Sequence, residues 1–362
     1  MLLPAPRGML SSALLDALLA SADAPPEKFG QLAGLGESAL AGSKDLLRDD
    51  DIQLALFCLY ELHYSGLDGV DPALEWEPEL IRLRRTLEAA FEATLRKVVP
   101  VPEAPAPEAE PVAQTLFGMA ADDDGPSVSR CIARHATEDQ LREFLILRSV
   151  YQLREADPHS WAIPRLPVGR AKAALVEIQA DEYGGGRPER MHSKLFARTM
   201  EGLGLDARYG YYLDRVPALV LASSNAMSLF GLNRRLRGSI AGHLAAFEMT
   251  SSIPNSFYAK GFRRAGFDSD VTYYFDEHVE ADAVHEQIAA RDLAGGLAEA
   301  EPELLPDILF GAATVLTLDA LQGEFQLTAW KENTSALRAP GSDPHPAAAA
   351  LAADAAAAGV SA

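Results

Sequence analysis

The sequence predicts an all-α fold: a multi-helix bundle preceded by a smaller helical region. Three observations carry this. Apolar residues recur at intervals of three and four along most of the 362-residue chain. Helix start and stop signals punctuate those stretches. Alternating apolar–polar runs are scarce, and no Asn-Gly pair marks a tight hairpin.

The elements follow in chain order. Residues 1–99 form a helical N-terminal region, a candidate dimerisation module. Its opening, "MLLPAPRGMLSSALLDALLASADAPP", faintly resembles a signal peptide. Asp16 interrupts the apolar stretch, and the segment reads as an amphipathic helix. "DIQLALFCLYELHYSGL" (51–67) and "EPELIRLRRTLEAAFEATLRKVV" (77–99) carry helical spacing. Residues 100–125 begin "PVPEAPAPEAEPVAQ", a Pro/Ala/Glu-rich linker expected to be stiff and extended.

The bundle is expected over 126–338. Its first long helix, "ATEDQLREFLILRSVYQLREADP", has Thr137 and Gln140 in a capping box and ends near Pro158. Glu155 lies late in it. "GRAKAALVEIQADEYGGG" (169–186) is stopped by three glycines, and "PERMHSKLFARTMEGLGL" restarts with Pro188 in a first turn. "VPALVLASSNAMSLFGL" and "RRLRGSIAGHLAAFEMTSSIP" follow, broken near Gly231 and at Pro254. "YYFDEHVEADAVHEQIA" (273–289) and a last helix set off by prolines close the bundle. Residues 339–362 are an Ala-rich tail, expected to be disordered and dispensable.

Composition narrows the function classes. The net charge of −20 repels phosphate backbones and argues against nucleic acid. Cys58 and Cys131 are far apart, with no CxxC, so neither a disulfide framework nor a cysteine zinc site is expected. That usage fits a reducing cytoplasm. No run of about 18 apolar residues predicts a membrane span. Gly184 to Gly186 lack the strand and the Lys-Ser/Thr of a phosphate loop.

The chemistry concentrates in 273–289. His278, Asp282 and His285 stand at i, i+4 and i+7, within about 60° on one helix face. Imidazole with carboxylate suits iron, manganese or zinc. The plainer reading is a wet acidic face, since Glu277, Glu280 and Glu286 share the stretch. A bundle site needs partners from other helices. Glu155, Glu182, His192 and Glu248 are the candidates, with Glu248 set among apolar neighbours. A buried carboxylate needs a cation partner; Arg234, Arg235 and Arg237 are the ordinary alternatives to a metal. Glu189, three before His192, competes with Glu182 through a Glu-x-x-His spacing, and its plainer role is in a helix's first turn. Glu61 and His63 face different sides of a helix, His159 reads as a capping residue or as a support one layer behind the ligands rather than a ligand, His243 faces away from Glu248, and His135 is expected at the surface.

Taken in order, "YQLREADPHSWAIPRL", "VEIQADEYGGGRPERMHSKLF", "AAFEMTSSIPNSFYAKGFRRAGF" and "YYFDEHVEADAVHEQIA" resemble the heme-oxygenase-like diiron oxidases, or iron-containing redox enzymes, over roughly residues 135–335. The resemblance implies a heme-oxygenase-like bundle holding two Fe(II)/Fe(III) ions rather than heme. It implies Glu155, Glu182, His192, Glu248, His278, Asp282 and His285 as ligands, and favours Glu182 over Glu189. It further implies O2 as co-substrate, room for an external electron donor and for a homodimer, and an outcome such as N-oxygenation of an amine, oxidative decarboxylation, or C–C cleavage of an amino acid or fatty acid, without choosing among them. Polar residues near the core favour a small amine or amino-acid substrate, through N-oxygenation or oxidative C–C cleavage. The competing class is an iron-storing or non-catalytic helical protein. Asn225, Ser251, Ser252 and Asn255 can serve an amine substrate or simply cap turns. Arg263 and Arg264 can meet a substrate carboxylate or lie at the surface.

Overall fold

A computed structural model describes residues 1–19, 27–123 and 125–339, with the backbone alone at 27, 28, 282 and 283. The tail expected over 339–362 lies outside the described residues from position 340. Every regular element described is helical, and no strand occurs among the described residues.

The chain divides into two compact units. The first takes residues 1–97, 208–225 and the described part of 337–362. It holds α1 (Met9–Leu18), α2 (Glu27–Gly42), α3 (Asp50–Glu61) and α4 (Pro78–Val98). Asp49 caps α3 by accepting from the Ile52 amide at 3.0 Å. Nearly all of α3 is buried, so it is the core of this unit rather than a surface helix. The N-terminal region therefore draws in later sequence. Asn225 Nδ2 donates to Gln53 O (3.0 Å) and Oε1 (2.8 Å). Arg338 Nε donates to Asp50 Oδ2 at 2.9 Å, and Arg7 donates to the Leu213 carbonyl at 2.7 Å. Polar groups on a buried helix need partners, and the chain returns to supply them.

The second unit takes 98–207 and 226–336. In order it contains α5 (Ala109–Ala121), α6 (Val128–Arg134), α7 (Glu138–Gln152), the short α8 (Asp157–Ser160), α9 (Arg170–Glu182) and α10 (His192–Gly202). After α11 (Ala218–Leu232) come α12 (Arg237–Met249), α13 (Ser252–Arg264), α14 (Ser269–Gln287), the short α15 (Gly296–Ala300) and α16 (Leu305–Lys331). Three departures from the sequence reading stand out. The stretch read as a linker over 100–125 contains α5, because Val112, Ala113 and Leu116 give it a buried face. Pro254 does not end a helix; it sits in the first turn of α13, where its missing N–H costs nothing. And α14 continues without a stop into a π-helical segment, Ile288–Gly295.

Helix α12 lies in the centre of this unit, packed on α16. A Cβ on Gly242 would collide with the Ile308 carbonyl, and one on Gly311 with the Ser239 carbonyl. The two backbones meet where side chains are absent. Helix Pro302–Lys331 is long and apolar enough, by length and composition, to cross a membrane, yet 61% of its apolar window is buried within the fold.

Candidate metal centre

Six of the seven residues expected as ligands converge in the second unit. Glu155, Glu182, His192, Glu248, His278 and His285 are all buried. Asp282 lies on α14, but its side chain is outside the described residues. The donors fall into two groups: Glu155, Glu182, His192 and His278, and Glu182, Glu248 and His285. Within each group the donor atoms lie within 4.8 Å of one another, and Glu182 belongs to both.

The sequence places each side chain for a local reason. The Thr137–Gln140 box starts α7 as expected, with amide contacts of 3.0 and 3.3 Å. That helix ends at Gln152, so Glu155 sits in the turn beyond it rather than late in the helix. Ala156 follows at φ 79°, a left-handed backbone that turns the chain into α8. Glu182 is the last residue of α9. Gly184 and Gly186, at φ 75° and 80°, turn the chain, and a Cβ on Gly184 would strike the Met191 amide. The break returns the chain so that His192, at the start of α10, faces Glu182: Nδ1 to Oε2 is 3.0 Å. Glu189 is exposed on that connection. Glu248 closes α12, and His278 and His285 share the inner face of α14.

Orientation of the imidazoles can be read from their partners. His278 Nδ1 donates to the Tyr274 carbonyl at 2.7 Å, which leaves Nε2 toward Glu155 Oε1 at 3.6 Å. His285 Nε2 donates to Asp181 Oδ2 at 3.0 Å, which leaves Nδ1 toward Glu248 Oε2 at 3.6 Å. Tyr274 Oη donates to both oxygens of Glu155 (2.9 and 3.0 Å). The His192 and His278 rings lie 4.3 Å apart.

These donors fit a pair of divalent cations. Three buried carboxylates are costly without compensating positive charge. Two donors on one first-row ion, each about 2.1 Å from it, lie roughly 3–4 Å apart, and the His192–Glu182, His278–Glu155 and His285–Glu248 pairs stand at 3.0, 3.6 and 3.6 Å. His192 Nδ1 and Glu182 Oε2 are close but not aligned as a hydrogen bond, as expected of two lone pairs aimed at a common point. Protons stand in for cations here. Burial works to raise the Glu182 carboxyl, but His192, His278 and His285 outweigh it and hold it well below the usual range. Burial likewise opposes a charged His285, but Glu248, Asp181 and Glu182 raise it to about 9.

Other candidates serve the fold. Asn255 Nδ2 donates to Ser251 O and Oγ. Arg264 donates to the carbonyls of Ile132, Ala133 and Ala136 at the end of α6. Arg263 pairs with Asp276. In the first unit, His63 Nδ1 contacts Glu75 at 3.1 Å and Tyr209 Oη donates to Glu61 at 2.9 Å. His135 is exposed. The pairing of His159 with His243, in a buried chain beside the cluster, leaves no signal in the sequence. His159 Nε2 lies 3.1 Å from His243 Nδ1, and Tyr151 Oη lies 3.5 Å from His159 Nδ1. The two histidines are 84 residues apart; only the packing of α8 on α12 joins them.

An all-α bundle thus turns a buried cluster of imidazoles and carboxylates, able to hold metal, into its interior. Residues 142–320 match the family described as iron-containing redox enzyme, and through this stretch the chain belongs to it. A curated relative is nitrosourea synthase of Streptomyces achromogenes subsp. streptozoticus, 30% identical over 145 residues. That match covers 40% of this chain and 31% of the relative, so the chain spans about a third of that protein's length.

Proposed function

We propose that this chain is a non-heme diiron oxidoreductase that uses O2 to oxidise a small amine or amino-acid substrate in a biosynthetic pathway, with electrons from an outside donor. The observation that carries the reading is Glu182, a buried carboxylate common to two donor groups. A carboxylate between two clusters is the arrangement that bridges two ions in helical bundles. The name of the curated relative supports nitrogen as the atom oxidised, because a nitroso group carries an N–O bond.

Two bound ferrous ions would supply O2 binding and its reduction. The chain's own residues supply geometry and dryness. Tyr274 fixes both Glu155 oxygens, and its carbonyl fixes the tautomer of His278. Asp181 does the same for His285. Leu244 and Phe247 wall the adjoining cavity with apolar surface, which limits water. Tyr151 lines the same cavity, and its hydroxyl is held protonated: burial, then the charges of Glu155, Glu182 and Glu248, push it well above its usual range. It can hold a proton toward a bound substrate.

The test is turnover of amine and amino-acid panels by iron-loaded protein with O2 and a chemical reductant. Substrate-dependent O2 consumption with an oxygenated or cleaved nitrogen product is the expected result. Ferric iron accumulating without product would favour storage instead.

A further inference from the structure

Behind the donor cluster runs a chain of three buried groups that are not among the donors. His159 on α8 and His243 on α12 are 0% and 1% exposed. His159 Nε2 lies 3.1 Å from His243 Nδ1. On the other side of its ring, His159 Nδ1 lies 3.5 Å from Tyr151 Oη, with the two rings at 89°. The last nitrogen of the chain, His243 Nε2, is buried with no hydrogen-bond partner. Phe247 stacks on that imidazole and Phe230 meets it at a steep angle. Burial pushes both imidazoles below their usual range, so each is neutral at pH 7 and carries one ring proton.

One hydrogen bond between two neutral imidazoles ties their tautomers together, because one nitrogen gives the proton and the other must be bare. Two arrangements exist. In the first, His243 Nδ1–H donates to His159 Nε2, and His159 Nδ1–H faces Tyr151 Oη. In the second, both protons move: His159 Nε2–H donates to His243 Nδ1, and an N–H stands at His243 Nε2 without an acceptor. Buried N–H groups that lack an acceptor are rarer than bare acceptors, so the first arrangement is the stable one. The Tyr151 oxygen then receives the His159 proton. Its own O–H turns away from His159, to the wall it shares with Glu155, Glu182 and Glu248. We propose that His243 and His159 are positioning residues that act in series to aim the Tyr151 O–H at the substrate side of the metal centre. This rests on the metal-centre reading above and deepens it, since it names what directs the proton that Tyr151 holds.

Nitrogen-15 NMR of metal-free protein labelled at histidine reads the tautomers directly. Through-space contacts with the Tyr151 and Phe247 rings assign the two histidines, so no variant has to fold. The expected result at pH 7 is a proton on Nδ1 of both rings. A proton on Nε2 of either ring overturns the proposal. The link to Tyr151 is read in iron-loaded protein as O2 consumption with the amine and amino-acid panels. Tyr151→Phe should slow turnover about tenfold, the loss of one hydrogen bond. His159→Gln should slow wild type by up to the same factor and leave Tyr151→Phe unchanged, because residues acting in series are not additive. A purely structural role would slow both backgrounds equally, and that result also overturns the proposal. Iron per chain in the same samples separates the two readings. Reversed tautomers with two irons bound sink the series alone, whereas absent iron sinks the metal-centre reading on which it rests.

Discussion

Glu182 is the side chain on which the residue-scale account turns. It belongs to both donor groups, whereas His285 belongs to one. Glu182→Gln should therefore abolish binding of both irons, and His285→Ala should leave one iron per chain, each with helical circular dichroism retained. Metal analysis after desalting checks this; two irons in either variant would remove that residue from the ligand set. Tyr274 acts one layer out. Its hydroxyl holds both Glu155 oxygens, so Tyr274→Phe should weaken iron binding about 10–100-fold, measured by competition with a ferrous chelator. The buried His159–His243 pair makes a pH prediction. Burial pushes His159 down to about 4, with Glu182 pulling weakly the other way. Burial, aided by His159, pushes His243 down as well. An unfolded histidine gains its proton near 6.5, roughly its unperturbed value. Between that pH and about 4 the unfolded chain holds more protons, so stability falls as pH drops through this window. Each histidine contributes at most about 1.4 kcal/mol per pH unit. Urea denaturation of metal-free protein at pH 7 and pH 5 should show the loss, and replacing both histidines by Gln should flatten it.

At the scale of elements, the glycine contacts decide where Glu248 can stand. Gly242 and Gly311 let α12 and α16 meet backbone to backbone, which fixes the depth of α12. Gly242→Val should destabilise the second unit by about 3 kcal/mol through overpacking and reduce iron occupancy by displacing Glu248. Thermal unfolding and metal analysis read the two effects; an unchanged melting midpoint would mean that the helices can separate at little cost. This scale also shows what the sequence could and could not say. The capping box at Thr137, the glycine stop after Glu182 and the seven-residue spacing of His278 and His285 on α14 are local patterns, and the structure shows each of them. Glu155 was misplaced in its helix because α7 ends at Gln152 and a left-handed Ala156 follows; alanine gives no warning of that conformation. The choice between Glu182 and Glu189 needed the path of the glycine break, which leaves one buried and the other exposed. The His159–His243 pair gains meaning only from the packing of distant helices.

At the scale of the whole molecule, an acidic, all-helical chain devotes its second unit to an interior cluster of imidazole and carboxylate. The first unit was legible as helical but not as discontinuous, because its tie to residues 208–225 runs through buried polar contacts such as Gln53–Asn225 that leave no periodic signal. We propose that one chain holds two irons and that Glu182 serves both. Anaerobic titration of metal-free protein with Fe(II), followed by rapid mixing with O2 and optical detection, tests it most directly. Wild type should reach an endpoint of two irons per chain and show a transient visible absorption on mixing, and Glu182→Gln should show neither. An endpoint of one iron or none, with no transient band, would contradict it.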